Sequence, residues 1–437
     1  MFKMHASMPD TFDIRQKYDI VVIGAGIGGL LAAALLCKHF KTLVLERLSF
    51  LGGRFSSFNY KGYELPTGAL HAIPHSKGVF VKILKAIGVR GKTSEVWASI
   101  LWEGCHYRVS SLLTAHKMFG SQKARRAFMK VIASAFLGTH MKSTSFGEFL
   151  GRFESEELNK CFEALIGFSM SVPLEKVSKS EGMRFIRNIV LLGKPFFPEN
   201  GCKGVIEKLK QVIIRSGGEI VTQAPVDEIL VQEGRVYGVS ASVGGEQMEI
   251  RCRCVISNTS PSETFEMISE KDVVSELLRR ASDVEVAEGI TICVGSSEKF
   301  FKSYEVVLTP SAERVSGLIQ YERPLAPENK CLLLTHQVLK SDDVQREIER
   351  GIEDLKELLP HFDRSCEILG VHVFRGRWPV NWAVQGEDFS ARLPVRGLYM
   401  VGDGCKASGR IMTEGIATNV LKVVRMAKKS LFKARRG

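Results

Sequence analysis

The hydrophobic pattern is clearest near the start of the chain, where two short apolar runs flank an apolar helical segment. The first run ends at Ile23, the helical segment occupies 27–37, and the second run occupies 42–45. Short apolar runs bounded by turn residues are typical of buried strands. The order therefore predicts a βαβ unit with parallel strands. A hairpin is predicted shortly afterwards, around Lys61-Gly62.

Helical and strand-like patterns alternate through the rest of the chain. Residues 100–195 are predicted as mainly helical, with weak strand signals. An amphipathic helix at 205–213 is followed by short strands between 220 and 256. A second clear helix covers 346–359, and an apolar strand at 397–401 leads into a Gly-Asp-Gly turn.

Glycines occupy the turn between the first predicted strand and helix in a recognisable spacing. Gly24, Gly26 and Gly29 fit G-x-G-x-x-G, and Glu46 closes the second strand. In this dinucleotide-binding pattern the glycines permit a tight turn, close approach of a pyrophosphate and close helix packing. The helix N-terminus offers free N–H groups to phosphates, and Glu46 would accept hydrogen bonds from ribose hydroxyls. The neighbouring cofactor-binding candidates are Gly28 and Arg47.

Length and composition indicate a globular protein with more than one core. The chain has 437 residues, of which 45% are hydrophobic, and this size exceeds one ordinary domain. The patterns place nucleotide-binding pieces at the start, near the middle and at the end of the chain. We therefore predict one discontinuous domain from 18–100, 195–260 and 375–437, and a second domain from 101–194 and 261–374.

Four separated motifs resemble those of one enzyme family. The first is the glycine motif with Glu46, and the second is Leu51-Gly52-Gly53-Arg54. The third is the strand cluster 217–258, and the fourth joins 398–404 to Glu414-Gly415-Ile416-Ala417. Over most of its length the chain resembles the FAD-dependent amine oxidase and phytoene desaturase-type oxidoreductases.

This resemblance implies a fold class, a cofactor and a set of binding residues. The fold would be α/β, with a Rossmann-like FAD-binding domain of the glutathione-reductase type and a discontinuous α+β substrate domain. FAD would be held by the glycine turn and by a helix N-terminus near Gly415 that faces the flavin. No second glycine motif is present, so a dedicated NADPH domain is not expected. The additional cofactor-binding residues would be Gly53, Arg54, Val226, Gly402, Asp403, Glu414 and Ile416.

The resemblance also favours an apolar substrate. Residues 100–195 are helical, apolar and basic, as in relatives that take polyprenyl or carotenoid chains. Hydride would therefore pass between flavin N5 and an isoprenoid-like molecule. His71, with His75 near it, is the candidate proton carrier, and Trp378 and Trp382 are candidate substrate contacts; each also suits a structural role. The alternatives are an amine or porphyrinogen oxidase on the same fold, and a non-catalytic prenyl or lipid carrier. The electron acceptor and the direction of the reaction are left open.

Charge and cysteine usage bear on partners and location. The net charge is +12, and two segments, 117–130 and 421–436, interleave basic and apolar residues. Such helices either contact an anionic membrane surface or pack with a solvated basic face. No nucleic-acid motif is present, so no nucleic acid is expected. Ten scattered cysteines without C-x-x-C pairs predict reduced thiols, no metal site and a cytoplasmic protein, peripheral to the membrane if the helices bind lipid.

Overall fold

The computed structural model describes residues 17–137, 144–384 and 386–436. Within them lie nineteen strands and thirteen α-helices. The strands are β1 (Ile20–Ile23), β2 (Thr42–Leu45), β3 (Ser57–Tyr60), β4 (Tyr63–Pro66), β5 (Gly91–Thr93), β6 (Ala98–Trp102), β7 (Cys105–Val109), β8 (Phe196–Pro198), β9 (Glu219–Val221), β10 (Val226–Gln232), β11 (Arg235–Val243), β12 (Glu246–Arg251), β13 (Cys254–Ser257), β14 (Gly289–Ser296), β15 (Val306–Leu308), β16 (Val315–Tyr321), β17 (Cys331–Val338), β18 (Cys366–Phe374) and β19 (Leu398–Met400). The helices are α1 (Ile27–Leu36), α2 (Val79–Ala86), α3 (Leu112–Ala115), α4 (Gln122–Leu137), α5 (Phe146–Gly151), α6 (Glu156–Met170), α7 (Lys179–Leu191), α8 (Gly201–Arg215), α9 (Pro261–Glu266), α10 (Ser275–Asp283), α11 (Val344–Leu358), α12 (Phe362–Ser365) and α13 (Met412–Arg436).

A parallel five-stranded sheet contains the predicted βαβ unit. Its strands lie in the order β19-β13-β1-β2-β9, and each neighbouring pair is parallel. Helix α1 joins β1 to β2, is buried along nearly its whole length, and packs against α8 and α13. A helix crossing between parallel strands in this way is the arrangement of a Rossmann-like unit. The predicted Rossmann-like α/β fold is confirmed.

The turn between β1 and α1 brings backbone atoms too close together for side chains. Gly24 has a φ of +88°, which residues with a side chain rarely adopt. A Cβ atom on Gly29 would overlap the carbonyl oxygen of Gly24, and one on Gly26 would lie 2.5 Å from Nδ2 of Asn258. Asn258 directly follows β13, so the turn packs against the end of the neighbouring strand. The glycine spacing is therefore required by packing within the protein itself.

A mixed seven-stranded sheet forms the second half of the fold. Its strands lie in the order β18-β14-β17-β16-β15-β6-β7, with β15 and β6 parallel and the other pairs antiparallel. Helices α4, α5, α6 and α7 contribute to the core on one face, which also takes Leu332 and Leu334 of β17. The alternate residue Leu333 points to the other core, with Leu355 of α11. This two-residue alternation is the normal consequence of strand geometry.

Two expectations about the second half need correction. The segment 100–195, predicted as mainly helical, begins with the antiparallel strands β6 and β7. The predicted boundary between residues 100 and 101 falls inside β6, which pairs with β15. β7 is an edge strand in which Val109 alone is buried, so it lacks the apolar alternation by which a strand is recognised.

The hairpin around Lys61-Gly62 is confirmed by β3 and β4.

The C-terminal helix α13 uses its apolar stripe inside the fold. The stripe shares a core with α1, whereas Lys422, Arg425 and Lys429 face solvent. This packing, and not a lipid surface, accounts for the amphipathic pattern of α13 as far as its side chains are described, which excludes Arg435 and Arg436. Across the described residues, no helix is both long and apolar enough to cross a bilayer. The buried members of the stripe are Val420, Val423, Val424, Ala427 and Leu431.

The packing of the glycine turn predicts the effect of adding one methyl group. Gly29→Ala is expected to lower the free energy of unfolding by about 1–3 kcal/mol, because the new Cβ must displace backbone. Thermal unfolding followed by circular dichroism measures the change. Gly151→Ala in α5 is the matched control, since a Cβ there meets open space. An unchanged melting temperature for Gly29→Ala would contradict the close-approach explanation.

Candidate functional site

A single continuous cavity joins the two halves of the fold. Its volume is about 700 Å³, which lies within the range of cofactor and ligand sites. One part, here called the cofactor cleft, is lined by residues within 23–55, 224–267 and 402–416. The other part, here called the apolar chamber, is lined by residues within 97–195 and 306–336. The cavity therefore connects the glycine turn directly to the helices that cover the second sheet.

Most of the predicted cofactor-binding residues line the cleft. Those in its wall are Gly24, Gly26, Glu46, Arg47, Gly53, Arg54, Val226, Gly402, Asp403 and Ile416. Gly28 and Gly29 lie just behind the wall: a Cβ on Gly28 would come within 2.5 Å of the Asn258 side chain. The predicted substrate residues Trp378 and Trp382 also line the cavity. Glu414 and His71 do not form part of the lining.

Glu46 fastens the glycine turn to the end of β2. Its carboxylate is buried, and its oxygens accept N–H groups of Ala25 at 2.6 Å and of Leu48 at 2.8 Å. Each carboxylate oxygen has a second lone pair, so these bonds leave capacity to accept ribose hydroxyls. Glu46 therefore holds the turn in shape and keeps acceptors available in the cleft.

Arg54, Asp403 and Trp382 form one cluster across distant parts of the chain. The guanidinium of Arg54 lies 2.8 Å from the carboxylate of Asp403, and it also donates to the carbonyl oxygens of Pro379 and Val380. Asp403 accepts the backbone N–H of Trp382 at 3.1 Å, and the indole of Trp382 lies 5.5 Å from the guanidinium. Two predicted cofactor residues and one predicted substrate residue thus position each other.

Glu414 has a role different from the predicted one. Its buried carboxylate accepts the N–H groups of Val79 and Phe80 at 2.8 and 3.1 Å, and it pairs with Arg410 at 2.7 Å. A carboxylate at this position caps the N-terminus of α2 and complements the helix dipole. The side chain is bonded to α2 and Arg410 and does not line the cleft, whereas Ile416, two residues later, does.

His71 is also structural, and its predicted role as proton carrier is not supported by its surroundings. The ring is fully buried, its Nδ1 accepts the N–H of Cys202 at 3.1 Å, and its Nε2 donates to the carbonyl oxygen of Glu64 at 2.9 Å. These two bonds select one neutral tautomer and leave no nitrogen free. Burial lowers the pKa of His71 to about 4, so the ring stays neutral at pH 7.

Two polar side chains in the cavity wall have buried atoms that complete no hydrogen bond with the described residues. Neither ring nitrogen of His75 completes a hydrogen bond with the described residues, and neither does Oγ1 of Thr413. Both residues line the cavity, Thr413 at the N-terminus of α13. Buried polar atoms normally find partners, so atoms left over in a cavity wall favour a polar ligand there. Together with the side-chain-free glycine turn, they fit a dinucleotide cofactor.

Charge is distributed unevenly along the cavity. The acidic and basic residues in its lining are Glu46, Arg47, Arg54, Asp227, Glu263, Glu266, Arg377 and Asp403. None of them belongs to the apolar chamber, whose wall is built largely from aromatic and aliphatic side chains of α4, α6 and α7. The chamber suits an uncharged, apolar ligand, because a charged group buried there would find no opposite charge.

Comparison with known proteins agrees with this geometry. Residues 22–86 match the family model of an NAD(P)-binding Rossmann-like domain. An uncharacterized protein of Methanocaldococcus jannaschii is 35% identical over 414 residues, covering 93% of this chain and 98% of its own. The crystal structure of an oxidoreductase from Methanosarcina mazei superposes with a TM-score of 0.85 at 30% identity, covering 93% of this chain and all of the other. The chain belongs to the FAD-dependent amine oxidase and phytoene desaturase-type oxidoreductase family.

More distant similarity points in the same direction. An all-trans-retinol 13,14-reductase of Danio rerio and a phytoene desaturase of Cereibacter sphaeroides are 24% and 26% identical over 60% and 56% of this chain. The aligned segments span about half the length of each of these two relatives. A putrescine oxidase shares the fold, with a TM-score of 0.72 at 15% identity over 95% of this chain. The prediction of a flavin-dependent oxidoreductase is confirmed at the level of the family.

Some residues of the site were not singled out in the sequence. Asn258 lies in the third motif, but no local pattern shows that its side chain covers the glycine turn. In the sequence, His75 stands out only as a neighbour of His71, and no local pattern singles out Thr413. Their roles depend on contacts between segments far apart in the chain, and such contacts leave no periodic signal.

The buried neutral state of His71 predicts a pH-dependent loss of stability. Burial sets its pKa at about 4 in the folded protein, against 6.5 for an exposed histidine, so the unfolded chain takes up the proton first as the pH falls. The contribution of His71 to the free energy of unfolding is fully present above about pH 6.5. It decreases by roughly 3 kcal/mol as the pH falls to about 4.

Urea unfolding of the wild type and of His71→Gln at several pH values measures this contribution. The variant is expected to be less stable at pH 7, and the difference from wild type should shrink as the pH falls to 4.5. His106→Gln, at an exposed position, is the control and should keep the wild-type slope. A constant difference across this range would contradict the buried neutral assignment.

Proposed function

We propose that the protein is an FAD-dependent oxidoreductase that transfers hydride between flavin N5 and an apolar isoprenoid- or carotenoid-like substrate. The observation that carries the proposal is the continuity of the cavity, which joins a dinucleotide cleft to a chamber without charged side chains. The named activities of the retinol reductase, the prolycopene isomerase and the phytoene desaturase among its relatives support an isoprenoid substrate.

Within this proposal, the described residues divide the binding of FAD among them. The glycine turn and the N-terminus of α1 would receive the pyrophosphate, and Glu46 would accept the ribose hydroxyls. Val226 would contact the adenine through its backbone, and the cluster of Arg54 and Asp403 would border the ribityl chain. When bound, FAD supplies a two-electron acceptor or donor of hydride. The chain's own residues would orient the reactants.

The proposed reaction needs no strong acid or base in the wall of the chamber. His71 has no free nitrogen, and the wall of the chamber holds no carboxylate or amine that would act as acid or base. Hydride exchange with an uncharged polyene fits such a wall, since the proton can pass to water or to a weakly basic group. An amine substrate fits less well, because the chamber offers no carboxylate to a cationic amine.

The substrate class can be tested by anaerobic titration of the flavin. The holoprotein is mixed with a polyene such as retinol or phytoene, and separately with small amines, while the flavin absorbance is recorded before and after photoreduction. We expect the absorbance of the oxidised or the reduced flavin to change when an isoprenoid is added. It should not change with putrescine or benzylamine. A response to amines alone would support the amine oxidase alternative. A protein that cannot be reconstituted with FAD would support the carrier alternative.

A variant that fills the chamber tests whether the substrate binds there. Ile189 of α7 lines the chamber, whereas Leu191, two residues later, is 57% exposed. Ile189→Trp should lower the rate with the long substrate about tenfold or more and leave photoreduction of the flavin unchanged. Leu191→Trp is the matched control and should behave like the wild type.

We further propose that helix α4 contacts an anionic membrane surface. Its inner face supplies Phe128 and Ile132 to the chamber, while Met129, Phe136 and Leu137 are exposed on its outer face. Lys123, Arg125, Arg126 and Lys130 flank these apolar side chains. A face of this composition suits anionic lipid headgroups over an apolar layer, and the same helix then separates lipid from the chamber.

Cosedimentation with vesicles tests the contact of α4 with lipid. The protein is expected to bind vesicles containing phosphatidylglycerol and to bind phosphatidylcholine vesicles much more weakly. The triple change Met129→Ser, Phe136→Ser and Leu137→Ser should abolish binding, because it removes the exposed apolar side chains. Ile214→Ser, at an exposed position on α8, is the control. Equal binding by the triple variant and the wild type would refute the proposal.

A further inference from the structure

Two polar side chains lie together in the wall of the apolar chamber. Ser171 caps the C-terminus of helix α6 in the left-handed conformation, with a φ of +61°, and His336 lies on β17, between β14 and β16. The Oγ of Ser171 is 2.6 Å from Nε2 of His336. Both residues line the chamber, and they are 2% and 5% exposed.

The fold makes room for this pair. Gly289 lies on β14, next to β17, and a Cβ on it would approach Cε1 of His336 to 2.8 Å. The ring of Phe168 meets the imidazole edge to face at 6.4 Å. The surrounding wall, which includes Val306, Leu308 and Ile319, is apolar. A polar pair costs more to bury than aliphatic side chains of the same size, so packing alone does not account for it.

Beyond the bond between the two side chains, the described contacts leave hydrogen-bonding capacity on the Ser171 hydroxyl. Burial lowers the pKa of His336 to about 4, so the ring is neutral and one of its nitrogens carries the proton. If the imidazole donates to Ser171, the hydroxyl proton remains to be donated elsewhere. If Ser171 donates instead, its oxygen still accepts. In either case the hydroxyl retains a position for one further uncharged polar group.

We propose that the pair of Ser171 and His336 binds a hydroxyl or carbonyl oxygen on an otherwise apolar substrate. This inference rests on the proposed function and narrows it: the substrate would be an isoprenoid with an oxygen function, and not a pure hydrocarbon. A neutral pair provides no charge for a carboxylate or an ammonium group, whereas a hydroxyl both donates and accepts and matches either arrangement of the pair. Ser171 and His336 are positioning residues that fix how far the chain enters the chamber.

Two ligands that differ in one oxygen test the inference. All-trans-retinol and the corresponding hydrocarbon, in which hydrogen replaces the hydroxyl, are titrated into the oxidised holoprotein in detergent. Dissociation constants come from quenching of tryptophan fluorescence, to which Trp97 in the chamber wall contributes. The wild type is expected to bind retinol about tenfold more tightly than the hydrocarbon.

Variants then assign this preference to the pair. Ser171→Ala should weaken retinol binding to the level of the hydrocarbon while leaving hydrocarbon binding unchanged. His336→Gln retains a hydrogen-bonding side chain and should keep part of the preference. Ser169→Ala is the matched control, because Ser169 also lines the chamber and has no histidine partner among the described contacts. Flavin absorbance and melting temperature identify any variant that fails to fold.

The outcomes separate the two proposals. Equal affinity of the wild type for both ligands, or an undiminished preference in Ser171→Ala, would overturn the role of the pair and leave the apolar chamber in place. Failure of the wild type to bind either ligand, with FAD present, would overturn the proposed isoprenoid substrate itself. A preference lost in Ser169→Ala and kept in Ser171→Ala would assign the oxygen to another part of the wall.

Discussion

The fold depends on the close approach of three backbone segments at the ends of parallel strands. β1, β13 and β19 lie side by side, and Gly24, Asn258 and Gly402 follow at their carboxyl ends. Gly402 has a φ of +110°, and a Cβ there would come within 3.0 Å of Oδ1 of Asn258. The Asn258 side chain occupies the space beside both turns, so Gly26 and Gly402 line the cleft without side chains of their own. The cofactor cleft is a consequence of this steric constraint.

A second set of contacts ties the cleft to the rest of the cavity. Arg54 and Asp403 are far apart in sequence, and their ion pair closes the cleft at the point where Trp382 lines it. Because Arg54 also holds the carbonyl oxygens of Pro379 and Val380, the segment after β18 is fixed against the turn after β2. The last return of the chain from the second sheet, at β18, to the first sheet, at β19, thus passes along the cavity. Cofactor and substrate regions are joined by the same few side chains.

Local signals in the sequence explain which parts of this arrangement could be predicted. Glycine spacing and apolar runs reflect steric requirements within a single segment. They predict β1, α1 and β2, which the structure contains, and they single out Gly24 and Glu46, which line the cleft. Edge strand β7 has almost no buried residues, and it was therefore missed. Glu414 and His71 were assigned by position in a motif, but their hydrogen-bond partners, Val79 and Cys202, lie far along the chain. Sequence reasoning has no access to such partners.

The separation of charge within the cavity carries the strongest constraint on chemistry. Groups that hold charge, such as Glu46 and Asp403, stand where they meet backbone N–H groups or an arginine, which offset the cost of burial. The chamber lacks such partners, and its histidine, His336, is held neutral because burial lowers its pKa. A reaction that creates full charge on the substrate would receive no support there. Under the proposed function, hydride transfer from the substrate would place negative charge on the flavin, beside the turn and helix N-termini that can stabilise it. The positive charge left on the substrate would be removed by loss of a proton. Under the proposed function, the charged cleft would therefore hold the cofactor, and the apolar chamber would select the substrate.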